Sequence, residues 1–178
     1  MLSPYVVMTR RVEPVRSADV VRVVTSMNEA DVDVWVDGGW GVDALVGSET
    51  RGHKDLDLLV AAADVERAAV VLAGRGFRHR AGTSPAGLYC DDADRRVDLS
   101  VLTPESDRGG YRHETSSGTT RLAVEDLSGQ GTIGGLGVRC LTASAQLRAH
   151  VGYETSEKDE HDLRLLRDHG PDRGSRDT

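Results

Sequence analysis

Apolar residues recur at Val20, Val23, Val24, Met27 and Ala30, a spacing of three and four that predicts a helix from an N-cap at Ser17 to about Ala30. Residues 32–36 alternate instead, which predicts a short strand, and Gly38-Gly39 breaks it. Residues 40–46 then read as a short helix stopped by Gly47. A second strand is expected at 56–60. Asp64 is placed to cap a helix that runs to Leu72 or Ala73 and ends at Gly74 and Gly76. Further strands are expected near 77–81, 88–91 and 97–102, with the polar stretch 92–95 as a hairpin turn. Residues 103–121 are rich in Ser, Thr and Gly with few apolar positions, and they read as a long loop. Residues 129–137 read as a second, glycine-dense loop before a strand at 138–141. Thr142 or Ser144 caps a helix to about Gly152, and a last helix follows Ser156.

This order of elements divides the chain into an N-terminal arm (1–16), one domain (17–169, its C-terminal helices from about 142) and a disordered tail (170–178). A length of 178 residues suits one compact domain. The apolar side chains are mostly Val, Leu and Ala, with one Phe and two Trp, so the core should be aliphatic. The net charge of −7 argues against a protein whose main business is gripping nucleic-acid phosphates, and it is compatible with a cationic small substrate. Cys90 and Cys140 are too few and too far apart for a zinc cluster and read as reduced, buried thiols. The first fifteen residues lack the apolar stretch of a signal peptide, and no apolar run is long enough to span a membrane. A cytoplasmic location, without membrane partners, is the expectation.

The chemistry centres on Lys54-Asp55-Leu56-Asp57-Leu58-Leu59-Val60. Residues two apart on a strand share a face, so Asp55 and Asp57 point one way while Leu56 and Leu58 point the other. Two carboxylates facing one space repel, and a divalent cation relieves them; hard oxygen ligands suit Mg²⁺. Upstream, Val36-Asp37-Gly38-Gly39-Trp40 sets a glycine pair between a strand and a helix. Without Cβ atoms the backbone can approach a phosphate closely, and the helix N-terminus adds donors and positive dipole. A third carboxylate, Asp98, lies in Val97-Asp98-Leu99-Ser100-Val101, where apolar and polar residues alternate. It can serve both as a metal ligand and as the acceptor of the attacking hydroxyl's proton. Asp91, Asp92 and Asp94 are rivals by type but belong to the expected turn.

The run Trp35-Val36-Asp37-Gly38-Gly39-Trp40-Gly41-Val42-Asp43-Ala44-Leu45, followed by Thr50-Arg51-Gly52-His53-Lys54-Asp55-Leu56-Asp57, resembles the nucleotidyltransferase superfamily. It is most similar to the antibiotic-modifying branch, the lincosamide nucleotidyltransferases and aminoglycoside 2''-adenylyltransferases. The segments Arg139-Cys140-Leu141 through Gly152-Tyr153-Glu154 and Lys158 to Leu163 resemble the lincosamide enzymes as well, so the similarity covers roughly residues 17–168. Where the superfamily usually has Gly-Gly-Ser, this chain has Trp40, so a serine contact to phosphate is lost or replaced.

The resemblance implies an α+β, polymerase-β-like fold: a small mixed twisted sheet flanked by helices, with further helices at the C-terminus. It implies two Mg²⁺ ions held by Asp55, Asp57 and Asp98, with Asp98 as general base and Gly38 and Gly39 against the triphosphate. The reaction it implies joins a nucleoside monophosphate, AMP from ATP, to a hydroxyl of a small acceptor of lincosamide or aminoglycoside type and releases pyrophosphate. It also allows a homodimer. Arg51, His53 and Lys54 crowd the loop before the metal strand and either touch phosphate or brace that loop. Lys158 can reach the β- or γ-phosphate or simply end a helix in solvent. Trp40, Tyr153, Tyr89 and Tyr111 are available to an acceptor or to plain packing, and His161 and Asp162 read as a local pair. Two other readings compete: the nucleotidyltransferase of a toxin–antitoxin pair acting on protein or tRNA, and a non-catalytic nucleotide-binding module.

Overall fold

The computed structural model describes residues 13–82, 86–106, 109–115, 118–150 and 155–169. Helix α1 (Ser17–Glu29) leads into β1 (Val34–Asp37), α2 (Gly38–Val46), β2 (Asp55–Ala61) and α3 (Val65–Gly74). Strands β3 (Arg78–Ala81), β4 (Gly87–Cys90) and β5 (Arg96–Pro104) follow, then the hairpin of β6 (Tyr111–Thr115) and β7 (Gly118–Leu122). A 3₁₀ turn (Val124–Ser128), a second hairpin of β8 (Gly129–Ile133) and β9 (Leu136–Cys140), and helices α4 (Ala143–Ala149) and α5 (Glu157–His169) complete the order.

The strands form one mixed sheet in the order β3-β4-β5-β2-β1-β9-β8, with β6 and β7 continuing from β5. β2 runs parallel to β5 and antiparallel to β1, and β1 runs parallel to β9. The alternation in β1, β2 and β5 separates two faces. Val34, Val36, Leu56, Leu58, Val60, Val97 and Leu99 belong to one buried cluster, joined by Val20, Val23 and Met27 of α1 and by Ala68 and Leu72 of α3. Leu59 and Leu102 belong to a second, smaller cluster with Leu122, Leu127, Leu141 and Ala145, against which Trp35 and Tyr111 pack. The second cluster covers only part of its side of the sheet; the carboxylates stand beyond it. No helix among the described residues is long and apolar enough to cross a membrane.

Three local expectations change. The cap of α1 is Arg16, not Ser17, and its backbone N–H donates to Asp19 at 3.1 Å. Within the segment expected as an arm, Val15 is buried and its N–H donates to the carbonyl of His53 at 3.0 Å; residues 1–12 lie outside the described residues. Both expected loops contain hairpins. In 103–121, Arg112 faces Arg121 and Glu114 faces Thr119, while inward positions go to Tyr111, His113 and Leu122. With one face solvated and a histidine at an inward position, the hydrophobic period is too weak to read. In 129–137 the glycines themselves are strand residues, and the turn closes through Gly134 and Gly135 at φ +55° and +83°. Cys90 and Cys140 are free and buried, as expected; burial and the nearby Asp37 charge push the Cys140 thiol up to about 12.

Candidate active site

Strand register brings the acidic residues together. Asp37 on β1 is the direct partner of Asp57 on β2, and Asp57 is the direct partner of Asp98 on β5. Direct partners in neighbouring strands project to the same face, so these three carboxylates form a row across the sheet. Asp55, two residues before Asp57, shares that face at the exposed start of β2. Asp37 was not foreseen as a site residue. Its neighbour Gly38 drew attention to the turn, but that Asp37 faces Asp57 follows only from the β1–β2 register.

The rival carboxylates are occupied elsewhere. Asp91 closes the β4–β5 turn, accepting from the backbone of Ala93 and Arg95 at 2.9 and 3.0 Å and from the Arg95 side chain at 2.7 Å. Asp92 pairs with Arg78 at 2.7 Å and Asp94 with Arg96 at 3.2 Å.

The row is electrostatically loaded. Burial, then the charges of Asp55, Asp37 and Asp98, push Asp57 up to about 8, against a smaller opposing pull from Arg51. Asp98 is also raised, by burial and then by Asp55. Asp37 is raised by burial, although the backbone N–H of Gly38 donates to it. This is a site short of positive charge. Among the described residues, no three His, Cys, Asp or Glu side chains form a ready-made ion cage.

Gly38 begins α2 at φ +58°, and a Cβ there would overlap the Asp57 carboxylate. A Cβ on Gly39 would run into the Arg51 guanidinium and lie 2.6 Å from His53 Nδ1. The turn is therefore pressed against both the carboxylate row and a polar network behind it. In that network His53 Nε2 donates to Asp43 Oδ2 at 2.5 Å, and Thr50 Oγ1 donates to Asp43 Oδ1 at 2.5 Å. Arg51 donates to His53 Nδ1 at 3.0 Å and to both oxygens of Asp162 at 3.0 and 2.6 Å. An arginine can only donate, so His53 Nδ1 accepts and its proton sits on Nε2. Trp40 is buried with its ring centroid 4.4 Å from that of His53, so it is core, not pocket. His161 contacts Thr50 at 3.3 Å, so His161 and Asp162 both reach the loop and do not pair with each other. Lys54 and Lys158 are exposed. Lys158 lies one helical turn before Asp162, on the side of α5 that faces Arg51.

A cleft of about 770 Å³ opens over the row. Asp37, Asp57 and Asp98 line it together with Ser100, Thr103 and His113, and Ala81, Gly82, Ala86 and Gly87 of the β3–β4 hairpin line it as well. His113 is a functional candidate that the sequence hid, because it sits in the segment that reads as a loop. Tyr89 is buried in the first core and Tyr111 packs on the second; Tyr153 lies outside the described residues.

The aminoglycoside-2''-adenylyltransferase family model matches residues 19–166. The chain belongs to this family. A lincosamide resistance protein of Staphylococcus haemolyticus is 26% identical over 137 residues, covering 76% of this chain and 84% of the relative. Lincomycin-bound lincosamide adenylyltransferase LnuA shares the fold at a TM-score of 0.74, with 23% identity over 87% of this chain and 98% of that one. ANT(2'')-Ia, in complex with adenylyl-2''-tobramycin, shares it at 0.64, with 18% identity over 84% and 86%. The α+β nucleotidyltransferase fold and the antibiotic-modifying branch expected from the motif are both borne out. The protein is a nucleotidyltransferase enzyme of the adenylyltransferase type, which sets aside the non-catalytic reading.

Proposed function

We propose that this enzyme transfers AMP from ATP to a hydroxyl of a small antibiotic, of lincosamide or aminoglycoside type, and releases pyrophosphate. The observation that carries the reading is the register that sets Asp57 beside Asp98, with the Gly38 turn against the same carboxylate. Asp55 and Asp57, with Asp98, would hold two Mg²⁺ ions. When bound, these ions neutralise the triphosphate and the charge that develops in transfer.

The chain's own residues supply the rest. Gly38 and Gly39 let the start of α2 approach the triphosphate with its backbone donors. Lys54 and Lys158, on the surface beside the Arg51 network, supply cationic contacts to the phosphates, while Arg51 and His53 contribute by holding the turn. Asp98, raised by burial and by Asp55, takes the proton of the acceptor hydroxyl as its oxygen bonds to the α-phosphorus. The α–β phosphoanhydride bond breaks and pyrophosphate carries away that electron pair. ATP supply places the activity in the cytoplasm.

The test is a panel of hydroxylated antibiotics, lincomycin and tobramycin among them, incubated with ATP and Mg²⁺. The expected products are pyrophosphate and an acceptor heavier by one adenylyl group. Failure of the enzyme to modify any of them would remove the antibiotic assignment.

A further inference from the structure

We infer that His113 is an acceptor-binding residue: its imidazole hydrogen-bonds a hydroxyl of the bound acceptor and so helps to decide which acceptors the cleft takes. The inference rests on the cleft being the acceptor site of nucleotidyl transfer.

His113 stands on β6 as the direct partner of Leu102, and it lines the cleft together with Asp37, Asp98 and Ser100. It is 8% exposed, yet its Nε2 has neither solvent contact nor a hydrogen-bond partner among the described residues. Its sequence neighbours Arg112 and Glu114 are engaged with each other. Arg112 pairs with Glu114 at 3.1 Å, and Thr119 donates to Glu114 at 2.7 Å. A buried polar atom left unpaired is costly; Trp40 Nε1, Arg96 Nε and Gln146 Nε2 share that state among the described residues, but of the four residues His113 is the one that lines the cleft. Burial also holds the ring below its usual pKa, although Asp37 and Asp98 pull the other way. An uncharged imidazole both donates and accepts, as a hydroxyl does. The torsion about Cβ–Cγ is broad, so a turn of the ring presents Nε2 to the cleft.

Charge decides which ligand meets it. Asp37, Asp57, Asp98 and Glu114 line the cleft, and among the described residues no Lys or Arg does. With the carboxylate row given over to the proposed metal ions and the triphosphate, the charge left beside His113 is that of Glu114, which offers a phosphate no donor. The proposed phosphate contacts come from the Gly38 turn, which also lines the cleft, and from Lys158 on α5, whereas His113 comes from β6. The group against His113 is therefore neutral or cationic and rich in hydroxyls, which is the chemistry of the acceptor.

The experiment is calorimetry of lincomycin, tobramycin and further hydroxylated antibiotics against wild type, His113→Ala and His113→Gln. ATP with Mg²⁺ is titrated in parallel, and adenylyl transfer is followed by mass. We expect His113→Ala to bind its preferred acceptor about 10- to 100-fold more weakly, with ATP affinity unchanged. His113→Gln, which keeps a donor and an acceptor, should recover part of the loss and also serves if the alanine variant does not fold. Unchanged acceptor affinity in His113→Ala overturns the inference, because an ordered water would then satisfy the ring. Equal loss for acceptor and ATP also overturns it, marking a structural role. A wild type that binds an acceptor without transferring nucleotide sinks the functional reading alone, while the comparison of affinities still judges His113. A wild type that binds no acceptor sinks the His113 assignment.

Discussion

Arg51 and Asp162, far apart in sequence, form a two-pronged ion pair at 3.0 and 2.6 Å that ties the loop before β2 to the middle of α5. Asp162 is nearly buried, and Arg51 also donates to His53 behind the glycine turn. Removing the cation leaves Asp162 uncompensated. Arg51→Met should cost on the order of 1–3 kcal/mol, lowering the melting temperature by roughly 2–10 °C for a chain of this size. Limited proteolysis should then open α5 first. In the double variant Arg51→Met/Asp162→Leu, much of the loss should return, because no buried charge remains unpaired. If single and double variants melt together, the pair does not dock α5.

The carboxylate row gives a pH dependence with a definite sign. Burial and the neighbouring carboxylates push Asp57 up to about 8 in the folded protein, against an ordinary value of 3.8. Between those values the folded state holds a proton that the unfolded chain has lost. Stability from this group is therefore full below about pH 4 and is lost as pH rises towards 8. Asp57→Asn removes the titration. Without divalent metal, the variant should melt above wild type at pH 8, by about 2–4 °C for each kcal/mol of relieved repulsion, and the gap should close towards pH 5. Mg²⁺ should raise the melting temperature of wild type more than that of the variant, while activity of the variant is lost. A gap that widens on acidification would contradict the charge deficit proposed here.

Much of this site was readable from the chain alone, and what was not has identifiable causes. The Asp55/Asp57 pair and the Gly38-Gly39 turn are local patterns, set by the two-residue period of a strand and by the absence of Cβ atoms. The two-residue period of β5 sets Asp98, and not Asp91, on the polar face. Asp37 carries no such local signal: its partner comes from β2, and pairing between strands is not written in either strand. His113 was hidden for a different reason: a polar hairpin lacks the hydrophobic period that marks a strand. Spacing does not separate phosphate contact from bracing for Arg51, because Asp162 lies in a helix whose docking site cannot be inferred from it.

Gly38 offers a steric test of the turn. Its φ of +58° disfavours any residue with a Cβ, and that atom would overlap the Asp57 carboxylate. Gly38→Ala should cost about 1–2 kcal/mol for the backbone alone and displace Asp57 as well. The expected result is a folded, less stable protein whose ATP affinity falls together with its turnover. Retention of normal ATP affinity, measured by calorimetry with Mg²⁺, would show that the turn does not cradle the phosphates.

The choice of Asp98 as the base can be tested against its neighbours in the same hairpin. Asp98 faces Asp57 directly across β2 and β5, whereas Asp91 is spent on the backbone of the β4–β5 turn and on Arg95. Asp98→Ala should therefore lower turnover by roughly 10²–10⁴-fold if proton transfer is its share, with any misplacement of metal adding to that. ATP affinity should fall much less, since the proposed metal ligands Asp55 and Asp57 remain. Asp98→Asn keeps the shape but cannot take the proton, so it should be nearly as slow while melting no lower than wild type. Asp91→Ala should behave in the opposite way: it frees Arg95, which also contacts Asp19 at 2.6 Å, and so it should lose stability while keeping most of its turnover. A dead Asp91→Ala beside a fully active Asp98→Ala would mean that β5 is slipped by one residue in solution, because such a slip exchanges the faces of the strand.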